Sequence, residues 1–207
     1  MRTNHWLAMS LGLLSFACAS TGASSGARTK HTDSRWLQPS PALRQQLDDQ
    51  ISRLPWTHGV ERIEQIRWFA TIGEPAYDDL LELCLDPRTD VASSAVAALG
   101  ATGDARLVDS LHEIEWADTP SAELKFERAR ALVRLGDWSA LGVLVDGLED
   151  PTQWARAWCA QVLREVTGSD LGFDAAAAPE VRATSVARWR DWISSRAGEG
   201  ILAAGRD

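Results

Sequence analysis

Apolar residues recur every three or four positions along most of the chain beyond residue 40. In residues 41–54, for example, Leu43, Leu47, Ile51 and Leu54 have the spacing that puts them on one side of a helix. No stretch alternates convincingly between apolar and polar residues at the two-residue period of a β-strand. The hydrophobic pattern therefore predicts an all-α fold.

The helical pattern recurs as a repeat unit of two helices. In each copy the first helix ends in an apolar residue and a glycine, a short turn follows, and the second helix ends near an acidic residue. The copies occupy residues 60–86, 90–115, 122–149 and 151–168, the last with its second helix displaced. Neighbouring pairs must stack, because one pair alone cannot bury its apolar side.

Glycine and aspartate mark the turns inside these pairs. We expect a glycine in the left-handed conformation to close each first helix, because glycine adopts that conformation without strain. The four candidates are Gly73, Gly100, Gly136 and Gly168. Asp104 and Asp137 stand next to two of these turns and are predicted to cap the helix that follows.

These residues resemble the HEAT-repeat superfamily, and in particular the short bacterial HEAT-like repeats that also occur in phycobilisome lyases. Residues 97–100 (AALG) with Gly103 and Asp104, and residues 132–137 (LVRLGD), carry the likeness, which covers residues 58–168. The glycines are 27, 36 and 32 residues apart, which fits the short type. The resemblance implies a right-handed α-solenoid of stacked antiparallel helix pairs.

The N-terminal residues have the pattern of an export leader. Residues 1–17 combine a basic start with an apolar run, as in a signal peptide, and residues 14–18 (LSFAC) resemble a bacterial lipobox that ends at Cys18. Residues 17–19 also fit ordinary signal cleavage, which would remove Cys18. Lipidation of Cys18 is the favoured alternative, because a Ser- and Gly-rich stretch suited to a flexible tether follows directly.

The predicted organisation has four parts. They are the signal peptide (residues 1–17), the lipidation site and disordered tether (18–35), the solenoid (36–196, with 179–196 as a capping helix) and a frayed tail (197–207). We expect an exported protein on the periplasmic side of the cell envelope. Ala19 follows Cys18 where lipoproteins retained in the inner membrane carry aspartate, so the resemblance to lipoproteins points to the outer membrane.

Composition and charge narrow the class of protein. A hydrophobic content of 45% and a charged content of 24% are typical of a folded domain and disfavour chain-wide disorder. The net charge of −8 argues against binding to nucleic acid, which requires a basic surface. Most of the ten tryptophans are expected to pack in the core, including Trp154 and Trp158 in a stripe of the fourth repeat.

No pattern of catalytic or cofactor-binding residues is present in the sequence. The four histidines are scattered, and no phosphate-binding loop, nucleophile elbow or zinc-protease motif occurs. Cys84 and Cys159 lie on apolar helix sides, so both are interpreted as inert core thiols. Asp170 and Asp174 are interpreted as turn residues, because a calcium ion needs more oxygen ligands than they supply. The prediction is a protein without enzymatic activity, metal or cofactor.

Charge is distributed unequally between the two helices of each pair. The second helices of the first three pairs sum to −8, and the four first helices sum to +2. In HEAT-like solenoids the second helices line the concave side, so the resemblance implies an acidic binding surface there, with a solvated helix surface as the alternative. The candidate binding residues are Asp79, Glu82, Asp109, Glu113, Asp146 and Glu149.

The resulting functional hypothesis is a non-catalytic protein–protein interaction or scaffolding module, monomeric, with a partner that presents a basic surface. Two alternatives stay open. One is an enzyme or an accessory subunit of an enzyme that uses the concave surface, and the other is a purely structural spacer of the envelope. The attachment of bilins by the related lyases is disfavoured, because that reaction is cytoplasmic and conflicts with an export signal.

Overall fold

The computed structural model describes residues 35–198, and every regular element in that range is helical. The α helices are α1 (Pro41–Arg53), α2 (Gly59–Ile72), α3 (Tyr77–Leu83), α4 (Thr89–Ala101), α5 (Val108–His112), α6 (Ala122–Arg134), α7 (Leu141–Asp146), α8 (Gln153–Thr167) and α9 (Pro179–Gly198). The prediction of an all-α fold is confirmed for these residues. None of the described helices is both long enough and apolar enough to cross a membrane.

Long first helices and short second helices alternate along the chain. Helices α2, α4, α6 and α8 pack side by side, each against the next, while α3 packs against α4, α5 against α6 and α7 against α8. The second helices are shorter than predicted, because each begins with a 3₁₀ turn and α5 ends at His112. Leu80, Leu111 and Leu144 occupy the same place in α3, α5 and α7, and all three are fully buried.

Helix α4 lies between α2 and α6 and is built of small residues. A Cβ atom added to Gly100 would lie 2.6 Å from the Cα atom of Ala131 in α6, so glycine is required there by close helix packing. The prediction that Gly100 closes its helix in the left-handed conformation is therefore wrong. The helix continues through Gly100 to Ala101, and Gly103 has the positive φ of 70° instead.

Most of the other predicted turn residues behave as expected. Gly73, Gly136 and Gly168 all have positive φ, and Gly168 closes α8 in the predicted left-handed conformation. Gly73 closes α2, but its ψ of −135° places it outside the left-handed helical region. Asp104 accepts a hydrogen bond from the backbone N–H of Arg106 at 3.1 Å, and Asp137 accepts one from Ser139 at 3.1 Å. Both aspartates therefore cap the turns that lead into α5 and α7, as predicted.

The tryptophan stripe of α8 is only partly buried. Trp158 is half-buried and stacks on Phe126 of α6, with ring centroids 6.4 Å apart. Trp154 stacks on Trp158 but is 60% exposed, so its prediction as a core residue is wrong. The buried side of α8 passes through Ala155, which is about 100° further around the helix than Trp154.

The last described helix covers the end of the helical layers. Val186 and Trp189 of α9 are buried, and α9 packs against α7 and the Gly147–Glu149 turn. Arg156 of α8 is also buried, and its guanidinium donates to the backbone carbonyl oxygens of Asp150, Pro151 and Ala175 at 2.8 to 3.2 Å. Arg156 thereby holds the loop between α8 and α9 in place.

Candidate interaction surface

The six predicted binding carboxylates lie on or next to the second helices. Asp79 and Glu82 belong to α3, Asp109 belongs to α5 with Glu113 at its C-cap, and Asp146 ends α7 with Glu149 in the following turn. Their surroundings differ, and only some of them are accessible to a partner.

Asp79 is buried rather than exposed. Its side chain lies 2.7 Å from the guanidinium of Arg44 in α1, and the residue is only 6% exposed. The ion pair joins α1 to α3, two helices that are far apart in the sequence. Asp79 is therefore not available on an exposed surface, contrary to its prediction as a binding residue.

Asp146 and Glu149 are exposed but share a basic neighbour. Arg190 of α9 lies 3.3 Å from the Asp146 carboxylate and 2.6 Å from that of Glu149. Hydrogen bonds to Glu149 and Asp146 raise the pKa of Arg190 above its ordinary value. This end of the predicted acidic surface is therefore compensated by the chain's own capping helix.

Of the predicted binding carboxylates, Asp109 and Glu113 remain accessible, and we call this pair the α5 acidic surface. Both side chains are exposed, and within residues 35–198 neither has a basic side chain at ion-pair distance. They lie four residues apart, which places them one helical turn from each other on the same side. Glu82 is also exposed, on the preceding second helix.

The segment that leads into α1 contacts α3, the turn before it, and α5. Trp36 is buried edge-on against Tyr77, with ring centroids 5.0 Å apart, and the backbone N–H of Leu37 donates to Glu74 at 3.2 Å. Arg35 donates to the hydroxyl of Ser110, the residue next to Asp109. The described chain therefore begins next to α5.

Exposed apolar side chains accompany the second helices at two points. Leu85 follows α3 and Val143 lies in α7, and both are exposed. Exposed aromatic or aliphatic side chains among charged ones are typical of the centre of a protein–protein contact. Trp56, which precedes α2, and Trp154, which lies in α8, are exposed as well.

The two described cysteines have the properties of core residues. Cys84 and Cys159 are fully buried and form no disulfide. Burial raises the pKa of Cys84, and it raises the pKa of Cys159 to about 12. Neither thiol therefore supplies a thiolate nucleophile at neutral pH.

The remaining residues that could bind a metal or take part in catalysis either stabilise turns or do not cluster with one another. Asp170 accepts from the N–H of Gly172 at 3.0 Å and Asp174 from that of Ala176 at 2.8 Å, which confirms their interpretation as turn residues. His112 is exposed and lies 2.6 Å from the carboxylate of Asp137. Among residues 35–198, no three His, Cys, Asp or Glu side chains converge as metal ligands. Cys18, the predicted lipidation site, lies outside the described residues.

Two basic residues lie in a groove that the sequence did not indicate. Lys125 and Arg128 are three residues apart in α6, and this spacing alone places them on one side of the helix. The structure adds that they line a groove together with His112 and with Val143 of α7. Sequence reasoning missed this groove because its walls come from three separate helices.

One family model matches the middle of the chain. Residues 77–164, which extend from the start of α3 to α8, match the family model of HEAT repeats. Neither the curated proteins nor the solved structures include a match to this chain. HEAT repeats are generally interaction or scaffold modules and typically non-catalytic. The match supports a HEAT-repeat protein, with its repeats in residues 77–164.

Proposed function

We propose that this chain is a non-catalytic protein-interaction module whose helix pairs stack into an α-solenoid. The observation that carries the proposal is the constant packing of first helix against first helix in α2, α4, α6 and α8, combined with the match to HEAT repeats. In such arrays each pair is stabilised by its neighbours, and the exposed helix rows are used as extended binding surfaces.

The exposed charges favour the α5 acidic surface as the site that contacts the partner. A partner with lysine or arginine side chains would relieve the repulsion between Asp109 and Glu113 and gain attraction from both. Exposed ion pairs contribute only about 0.2 to 1 kcal/mol each, so they act mainly on the association rate. Apolar contacts, for which Leu85 and Val143 are candidates, would have to supply most of the affinity.

The proposed location is the periplasmic side of a bacterial envelope, with an acylated Cys18 anchored in the outer membrane. The support is the leader in residues 1–17, the lipobox-like residues 14–18 and the Ser- and Gly-rich stretch that follows. The described chain begins at Arg35, beside Ser110. A tether that precedes it would thus join the helical part beside α5.

The test is capture of a partner from detergent-solubilised envelope membranes with matched charge variants. We expect wild-type protein and a control with Glu64→Lys and Glu180→Lys to retain the same partner. The variant with Asp109→Lys and Glu113→Lys makes the same change in net charge and is expected to lose it. All four side chains are exposed, so both variants should fold.

Two results would contradict this proposal. Equal retention of the partner by the α5 variant and the control would mean that the contact lies elsewhere. An association rate that is insensitive to salt would exclude charge as the basis of recognition, because exposed ion pairs are screened at physiological ionic strength.

A further inference from the structure

A groove opens between α5, α6 and α7 on the described part of the chain. Its volume is about 370 Å³, which lies in the range of sites that bind a small ligand or a few side chains. Ala129, Leu132 and Ala140 supply an apolar lining, and Val143, which is 41% exposed, contributes from α7. His112, Lys125 and Arg128 supply the charged and titratable groups.

The two cations of α6 that line the groove, Lys125 and Arg128, lack carboxylate partners within residues 35–198. Lys125 is exposed, and no acidic side chain lies within ion-pair distance of it. Arg128 is half-buried, donates to the carbonyl oxygen of Ile114 at 3.1 Å and lies over the ring of Trp116, 4.3 Å from the ring centroid. Burial lowers the pKa of Arg128, and an anion next to it would offset this desolvation.

Lys125 also departs from what the equivalent residues of two other first helices do. It is the fourth residue of α6, as Arg62 is of α2 and Arg156 is of α8. Arg62 donates to the carbonyl oxygens of Thr57 and Asp90, and Arg156 donates to those of Asp150, Pro151 and Ala175. Lys125 makes no such contact in the described chain, so its ammonium group is left for an external ligand.

We propose that this groove binds an acidic, partly apolar segment of a partner protein. A carboxylate of that segment pairs with Lys125 and Arg128, and a neighbouring apolar side chain packs on Leu132 and Val143. The charge of the recognised group is opposite to that expected at the α5 acidic surface, so this site is a second contact and goes beyond the proposed function.

A peptide is favoured over an anionic membrane surface for two reasons. The groove combines its cations with an apolar lining, which a phosphate headgroup does not use but a leucine side chain does. The chain as a whole carries a net charge of −8, which opposes its approach to a negatively charged bilayer. Lys125 and Arg128 make the groove locally positive although the whole chain is negative. A short peptide segment can reach them without bringing a large negative surface close to the chain.

The probe is a blocked peptide of alternating leucine and glutamate, titrated into isotope-labelled protein while amide NMR signals are followed. We expect shifts of residues in the groove, and we expect Lys125→Glu to weaken binding about fivefold or more by reversing a charge next to the ligand. Arg67→Glu is the matched control, because Arg67 is an exposed basic residue of another first helix. It should bind as the wild type does.

A second variant and a second peptide separate charge from apolar contact. Val143→Asp should also weaken binding, and a peptide with glutamine in place of glutamate should bind about fivefold less tightly or worse. The proposal is overturned if the wild type does not bind the acidic peptide at millimolar concentration. It is also overturned if Lys125→Glu or the glutamine peptide binds equally well.

Vesicles of phosphatidylglycerol provide the remaining comparison. Binding to these vesicles that is lost in Lys125→Glu, without binding to the peptide, would assign the groove to lipid and overturn the proposal. Because Asp109 and Glu113 are unchanged in every variant, the outcome does not depend on whether the α5 acidic surface binds a partner.

Discussion

Gly100 and Gly142 show how the same residue type serves different purposes at the scale of single residues. Gly100 is buried in α4, where Ala131 of the neighbouring helix approaches its Cα atom. Gly142 is exposed in α7, and a Cβ atom added there would meet no other atom within 4 Å. The first glycine is required by packing, whereas the second only adds conformational freedom to the unfolded chain.

We expect Gly100→Ala to lower the free energy of unfolding by about 1 to 3 kcal/mol, because α4 and α6 must move apart. Gly142→Ala is the matched control and should raise it by about 0.5 to 1 kcal/mol. Urea unfolding followed by circular dichroism measures both changes. A Gly100→Ala variant as stable as the wild type would contradict the close contact between α4 and α6.

Individual tryptophan residues differ in burial, with Trp189 in the core and Trp154 on the surface. We expect Trp189→Ala to cost about 3 to 5 kcal/mol of unfolding free energy, because Trp189 is only 1% exposed. Trp154→Ala should cost about 1 kcal/mol or less, since it loses mainly its stacking on Trp158. Chemical denaturation of both variants checks the difference. Equal losses would mean that Trp154 is also a core residue.

At the scale of elements, the second helices depend on the charged turns that start them. Hydrogen bonds from Arg106 lower the pKa of Asp104, which caps the turn before α5. For Asp137, which caps the turn before α7, burial alone raises the pKa, but hydrogen bonds from Ser139 and His112 outweigh this effect and lower it. Both caps therefore favour the charged aspartate.

A folded-state pKa below the unfolded value contributes stability at high pH that is lost as the pH falls through the folded pKa. We expect the free energy of unfolding to fall below about pH 4, near the unfolded pKa of aspartate. Asp104→Asn and Asp137→Asn keep a capping side chain but remove the charge, so together they should flatten this fall. Asp118→Asn, at an exposed position between α5 and α6, is the control. Unfolding at neutral and acidic pH tests the difference, and identical acid profiles would contradict it.

At the scale of the whole molecule, the proposed acylation of Cys18 can be tested by substitution of that residue. If Cys18 is acylated, Cys18→Ala should move the mature protein from the membrane fraction to the soluble fraction, because the acyl chains supply the membrane affinity. Ser24→Ala, in the same Ser- and Gly-rich stretch, is the control and should leave the protein in the membrane. Cell fractionation and the mass of the N-terminal peptide distinguish the outcomes. An unacylated wild-type protein would favour ordinary signal cleavage instead.

The sequence by itself determined the helical class, the order of the paired helices and most of their turns. Periodicity, caps and left-handed glycines depend on residues close together in the chain, so they can be predicted locally, as Asp104 and Gly168 illustrate. Gly100 departed from this rule, because the close approach of Ala131 depends on a second helix.

Only the tertiary structure decided which charges are accessible. Asp79 pairs with Arg44, 35 residues away in the sequence, and Glu149 pairs with Arg190, 41 residues away. The predicted acidic surface is therefore reduced mainly to Asp109 and Glu113. The groove at Lys125 and Arg128 likewise exists only because α5 and α7 pack beside α6. The number of charged residues can be read from the sequence. Whether a basic side chain neutralises a given carboxylate depends on the distance between them in the folded chain.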